Sequence, residues 1–310
     1  VSNYLAFRIL KGVFVILLVS ILTFIVMRIM PGDPVFFLLG EGGIPITQEQ
    51  IAEIRTLWGL DRPLYEQYFV WAANLLRGDF GTSLIRTGYP VRSMIFEAIP
   101  VTAMLNIFAT VLAIAIAVPF GIAAAVRRNS WVDYASNIVS ALGIATPNFW
   151  LSLMLIVVFA LYLGWLPPFG LRSWHGMILP VIVIATEEMA VLMRITRGAV
   201  LELLPQDFVR TARSKGLSER IVLYRHIISN AMLPVVTVLG FRIAFILSGT
   251  IIVENVFALP GIGRLFVDSV MRLDYQVVQS LVVVFSVLVV VINLLTDLIY
   301  ALIDPRIRIS

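Results

Sequence analysis

The chain contains no cysteine and only two histidines, His175 and His226. A disulfide framework is therefore impossible, and so is a thiolate metal site. The histidines lie far apart and neither belongs to a His-x-x-x-His motif, so a zinc protease site cannot be built. No G-x-x-x-x-G-K-S/T loop occurs, and with it the usual phosphate cradle for hydrolysing ATP is missing. The sequence thus implies no catalytic residue, metal ligand or cofactor site of its own. Any ATP and magnesium chemistry has to come from a partner.

Charge is scarce as well. Acidic and basic residues make up 14% of the 310 residues, against 60% hydrophobic; a soluble domain is about a quarter charged and about half apolar. With a mean hydropathy of +0.96, the sequence describes an all-α membrane protein. The net charge of +4 and pI near 9.6 invite a nucleic-acid reading. The basic residues do not form one patch, however; they follow membrane sidedness, and no nucleic-acid partner is expected.

Taken in order, the chain reads as six spans. Arg8 and Lys11 precede the first, residues 12–30. That run is longer than the about 7–15 apolar residues of a secretory signal and ends without a small-residue cleavage site, so a retained helix is expected. From residue 31 to 99 the composition is mixed. Thr47 with Gln50 forms a capping box opening a helix that stops at Gly59, and a second helix carries Leu64, Tyr68, Trp71 and Leu75 on one stripe before Gly78. Acidic residues outnumber basic ones here, which suits an extracytoplasmic insert, either a passive lid or a docking platform and outer gate.

The core, residues 100–310, holds the other five spans. Residues 100–126 repeat Ala109, Ala113, Ala117, Gly121 and Ala125 every fourth position, a smooth packing face that can meet its own bundle or another subunit. The third span, within 134–163, is expected to kink at Thr146-Pro147-Asn148. The fourth, about 177–200, carries Glu187 and Glu188 near its middle, with Arg194 and Arg197 placed to snorkel inward. The fifth, about 233–252, holds Arg242, and the sixth runs from about 277 to 303. Arg8, Lys11, Arg127, Arg128, the basic residues from Arg210 to Arg225, Arg306 and Arg308 all fall on one side, which puts both termini in the cytoplasm.

The second half turns on a polar bend within residues 201–232. Asp207 to Ser214 reads as a short helix that Pro205 introduces and that ends on basic Lys215 and a left-handed Gly216. Ser218 can cap a following helix striped with Ile221, Leu223, Tyr224, Ile227 and Ile228. A generic basic loop would look similar. A helix-turn-helix DNA reader would need a compact soluble unit around it, and this bend is tied to membrane at both ends.

A helix–bend–helix of this kind resembles the coupling segment of ABC importer permeases. Arg210, Thr211, Ala212, Gly216, Leu233 and Pro234 stand at the family's motif positions, with Arg210-Thr211-Ala212-Arg213 in the form usual for its peptide and nickel branch. The likeness continues through PGDP at 31–34, LDRPLYEQY at 60–68, GDFGTS at 78–83, PNFW at 147–150, VENVFALPGIGRL at 253–265 and DPRI at 304–307. It implies the six-helix type I importer permease fold in a bacterial inner membrane. Implied partners are a second permease in a heterodimer, two ATPase subunits at the cytoplasmic face and an extracytoplasmic substrate-binding protein. In that reading Arg210, Thr211, Ala212, Arg213, Lys215, Gly216, Leu217, Leu233 and Pro234 couple to the ATPases. Di- or oligopeptide is the first choice of cargo, with nickel, another metal complex or glutathione as alternatives.

Glu187, Glu188, Arg242 and Asn106 are the candidates for the translocation pathway. Adjacent helical residues point about 100° apart, so one glutamate can face the lumen while the other meets a neighbour, Arg242 being at similar depth. A secondary carrier or channel working alone would call for an internal inverted repeat of spans, which the sequence lacks. An intramembrane enzyme would need a placed nucleophile and base, and the membrane-depth polar residues show no such spacing.

Overall fold

The computed structural model describes residues 2–32, 35, 47–86 and 88–303, excluding the side chains of 2–6, 48, 241–249 and 295–303. Half of PGDP, all of DPRI and the Arg242 side chain therefore lie outside the described residues. Helices dominate: α1 (Ser2–Ile29), α2 (Gln48–Leu57), α3 (Leu64–Leu76), α4 (Val91–Val126), α5 (Trp131–Ala145) and α6 (Asn148–Leu155). A 3-10 turn at Trp174–Met177 leads into α7 (Ile178–Leu203), followed by α8 (Asp207–Ser214), α9 (Glu219–Ile221), α10 (Ser229–Val256), α11 (Ile262–Met271) and α12 (Tyr275–Ile303). Wider π turns extend α6 over Ile156–Tyr162 and join α9 to α10 over Val222–Ile228. Among the described residues five helices are long and apolar enough to cross a membrane, and the α5–α6 pair makes a possible sixth span.

Several boundaries differ from the sequence expectation. α4 is one helix of 36 residues that starts at Val91 rather than 100, some 54 Å at about 1.5 Å per residue. α10 begins at Ser229, so Leu233 and Pro234 lie inside the helix instead of opening it. Pro234 has no amide to donate to the preceding turn, so one intrahelical hydrogen bond is absent at that point. The kink expected at Pro147 is a full break, with α5 and the α6 arm bent by 102°.

One compact unit comprises the chain up to Val101 and from Pro260 onward. α1 lies along α12, and the approach is close: a Cβ on Gly12 would sit 2.5 Å from Val290 Cγ1. Phe24, Trp71 and Val283 bring α1, α3 and α12 together, with Tyr68 edge-on to Phe24 at 5.3 Å. The capping box of α2 is formed, Gln50 N donating to Thr47 Oγ1 at 3.4 Å and Thr47 N to Gln50 Oε1 at 3.1 Å. Asp274 pins the GDFGTS loop. Its buried carboxylate accepts from Ser83 Oγ, from Leu84 N at 3.2 Å and from Val277 N, three residues on in α12, at 3.4 Å.

The second unit runs from Thr102 to Leu259 around α7. The alanine-glycine face of α4 packs within this unit: Ala113 and Ala117 lie fully buried against Leu192, Met193 and Val235. Where α4 crosses α7, a Cβ on Gly121 would come within 2.8 Å of Thr196 Cβ and 2.9 Å of Met193 O. α5 meets the same helix through Gly143, whose Cβ would lie 2.7 Å from Ala190 Cβ.

Two substitutions test these contacts in the detergent-purified full chain. Asp274→Ala orphans buried donors and is expected to cost about 2–4 kcal/mol; the exposed Asp268→Ala should stay within about 0.5 kcal/mol. Equal thermal midpoints for the two variants would refute the pinning role. Gly121→Val meets a backbone carbonyl that cannot move aside, so folded, monodisperse protein should fall sharply, while Gly198→Val, with open space around it, should be tolerated.

Candidate functional site

The polar bend begins as a helix built to be anchored on one side. In α8, Val209 and Ala212 are buried, three residues apart on one face, while Arg210, Thr211, Arg213 and Ser214 are exposed. The buried pair enters an apolar cluster with Ala125 of α4, Val200 of α7, Val222 and Ile227 of the π turn and Ala231 of α10. Asp207 in the first turn and Arg213 in the last agree with the helix dipole. Pro205 precedes the helix rather than occupying its first turn.

Gly216 terminates α8 as the sequence implies, at φ +77. Its amide donates to Arg213 O at 2.9 Å, and the Leu217 amide reaches Ala212 O at 3.4 Å. Those are the two bonds of a Schellman motif, and half-buried Leu217 joins Ala212 in the apolar cluster to complete it. A Cβ on Gly216 would meet nothing within 4 Å. Glycine is required here by the backbone angle, and the space beside it is open.

The second arm departs from expectation. Ser218 makes no side-chain cap; Glu219 instead takes the fork of Arg213, with Nε–Oε1 at 2.8 Å and Nη2–Oε2 at 3.2 Å, bracing the bend from outside. The π turn changes the buried stripe, because its i→i+5 register brings residues five apart toward one face. Val222 and Ile227 are buried, while Ile221 and Tyr224 are exposed. Of the predicted coupling residues, Ala212 and Leu217 thus face inward. Arg210, Thr211, Arg213, Lys215, Gly216, Leu233 and Pro234 face out.

A second polar constellation lies between α4, α6, α7 and α10. Thr102, Asn106 and Thr110 recur every fourth residue of α4 and form one stripe. Thr102 Oγ1 donates to Glu254 Oε1 at 2.6 Å, and Glu254 is fully buried in the last turn of α10. Asn106 Nδ2 donates to the carbonyl of Thr102 at 2.7 Å. Thr110 Oγ1 donates to buried Glu188 Oε2 at 3.0 Å. Glu187 accepts from Asn148 Nδ2 at 2.9 Å, just after the α5–α6 break. The two adjacent glutamates therefore turn to different helices.

Arg197 pairs with a carboxylate. Its Nε and Nη2 grip Asp133 Oδ1 and Oδ2 at 2.5 and 3.0 Å, and Asn129 N and Asn137 Nδ2 complete the buried carboxylate's shell. Sequence reasoning missed Asp133, Thr102, Thr110, Asn148 and Glu254 as participants. The four-residue spacing about Asn106 was visible, and Asn148 and Glu254 fall within PNFW and VENVFALPGIGRL.

Known proteins match along the whole chain. The family described as "Binding-protein-dependent transport system inner membrane component" matches residues 117–309, and the corresponding N-terminal family of transport system membrane components matches residues 1–106. The oligopeptide transport system permease protein AppB of Bacillus subtilis (strain 168) is 41% identical over 317 residues, covering 99% of both chains. The glutathione transport system permease protein GsiC of Escherichia coli (strain K12) is 41% identical over 307 residues, with the same coverage.

Removing one hydroxyl tests the polar stripe. Thr102→Val keeps the shape but takes the donor from Glu254, which should destabilise the fold by roughly 1–3 kcal/mol; Thr102→Ser should recover most of it. Matching thermal midpoints for the valine and serine variants would show the bond to be idle.

Proposed function

The chain belongs to the family of binding-protein-dependent transport system inner membrane components, and from that premise we propose that it lines one half of the translocation pathway of an ATP-driven peptide importer. The other half comes from a second, similar permease. Two ATPase subunits dock at the cytoplasmic bend, and an extracytoplasmic binding protein delivers cargo to the insert between the first two spans. Both termini lie in the cytoplasm. ATP and magnesium belong to the ATPases.

The single observation that carries this reading is the two-sidedness of α8. Its outer face offers Arg210, Thr211, Lys215 and the open flank of Gly216, while Val209 and Ala212 are locked among the ends of α4, α7 and α10. A push on the outer face is passed inward by the Schellman cap and the buried Val209 and Ala212 contacts, with the exposed Arg213–Glu219 fork adding little. It passes to three helices together. ATPase closure would in this way tilt α4, α7 and α10 and switch access to the pathway.

Peptide is favoured as cargo because one relative is named for oligopeptides and another for glutathione, itself a modified tripeptide. Half-buried Glu187 and its neighbour Glu188 suit a pathway for substrates bearing an amino-terminal cation. Arg242 and Asn106 belong to the same proposed pathway.

Affinity purification of the tagged chain from its own membranes should recover a second permease, two ATPases and a binding protein. In proteoliposomes of that complex, Arg210→Glu with Lys215→Glu should cut ATP-dependent uptake of a labelled dipeptide by an order of magnitude or more, leaving the membrane level unchanged. The chain recovered alone and transporting without ATP would instead establish a carrier.

A further inference from the structure

Arg28 lies in the last turn of α1, where the first span leaves its apolar stretch. Its Nε and Nη2 donate to one neutral acceptor, Gln67 Oε1, at 3.2 and 3.1 Å. The guanidinium stacks over Phe24 at 3.7 Å and approaches the Tyr275 ring at 5.2 Å. Its third nitrogen, Nη1, is buried and meets no acceptor among the described residues. The indole Nε1 of Trp71, a residue only 7% exposed, is likewise a buried donor without an acceptor among them. Orphaned buried donors cost stability, and two beside one cavity point to an acceptor supplied from elsewhere.

Arg28 and Trp71 both line a cavity of ≈ 250 Å³. Arg62, Asn74 and Gln276 add further donors to its wall. The acidic residue in the lining, Asp79, already accepts from the Gly81 amide at 2.9 Å. A second cavity of ≈ 410 Å³ shares the walls made by Arg28, Leu60, Gln67 and Tyr275. Its other side is largely apolar: Phe24, Ile25, Ile29 and Leu64, the last three well exposed. A polar chamber lined by Arg28 and Arg62 therefore shares a wall with an apolar groove along exposed residues of the first span.

We propose that these neighbouring cavities seat one anionic phospholipid, its phosphate against the Nη1–Nη2 edge of Arg28 beside Trp71 and an acyl chain along Ile25, Ile29 and Leu64. The chemistry follows the shape. A planar guanidinium matches phosphate oxygens with paired donors, and basic pockets among membrane helices suit charged headgroups. A free phosphate would use the chamber and leave the apolar groove without purpose. The bound lipid would tie the insert helix α3 to α1 and α12, whose Phe24, Trp71 and Tyr275 surround the site.

The test uses the full chain in its purified complex, read by native mass spectrometry for retained lipid and by thermal midpoint. The probes are dioctanoyl phosphatidylglycerol, dioctanoyl phosphatidylcholine and inorganic phosphate, each added alone. Phosphatidylglycerol should be retained and should raise the midpoint above both others. Arg28→Gln removes the charge and should lower that retention about fivefold, the effect of one basic contact to a headgroup; Arg28→Lys keeps the charge but loses the paired donors, and should lower it less. Trp71→Phe keeps the ring and removes the indole donor; it should weaken retention by a smaller factor and remains informative if the Arg28 variants fold poorly. An equal shift from inorganic phosphate or phosphatidylcholine would overturn the assignment, as would undiminished phosphatidylglycerol retention in the folded variants.

Discussion

The close approach of α4 and α5 to α7 is the constraint on which the second unit depends. Gly121 and Gly143 sit where any side chain would strike Thr196, the Met193 carbonyl or Ala190. Within a bilayer, lipid tails are as apolar as leucine, so helices gain little from burying more hydrocarbon. Dispersion contacts at short range and hydrogen bonds between helices have to hold them. The alanines at 113 and 117 extend the same smooth track along α4. That proximity lets the short hydroxyl of Thr110 span the gap to Glu188, a reach that fails if the helices stand a side chain further apart.

Polar groups at membrane depth follow from the same geometry. A carboxylate away from water is stable when donors surround it, and each one here finds them on another helix or at a helix break. Asp133 gathers Arg197, Asn137 and the Asn129 amide; Glu254 has Thr102; Glu188 has Thr110; Glu187 has Asn148. The break at Pro147 is part of this arrangement, since the turn out of α5 puts Asn148 within reach of α7. Arg197 cross-links α5 and α7 through Asp133.

At the bend, local and tertiary forces divide the work. Gly216 and the Schellman bonds stop α8 from within its own sequence, and the apolar cluster decides which face turns outward. The π turn after α9 adds residues to the turn and moves Val222 and Ile227 into the cluster while leaving Tyr224 outside. A three-four stripe could not place both of those residues inward. The wide turn is thus a packing solution in which backbone geometry yields to burial.

Much of the fold is legible in the chain's composition and local spacing. Apolar runs long enough to cross a bilayer as helices point to a helical membrane chain, since a backbone in hydrocarbon must satisfy its hydrogen bonds within the segment or in a closed barrel. The capping box at Thr47, the left-handed Gly216 and the glycine-alanine face of α4 are readable because they depend on residues no more than a few positions apart. The partners are not. Ser83 meets Asp274 and Thr102 meets Glu254 at separations of 191 and 152 residues, and Arg197 meets Asp133 on another helix. Such pairings are set by how each helix is rotated and how near its neighbours stand, quantities that a periodic pattern along one helix does not contain. The sequence determined which segments are helices and where most of them stop; packing alone decided that Pro147 makes a break of 102°, that Ala212 faces inward, and which side chains answer each buried charge.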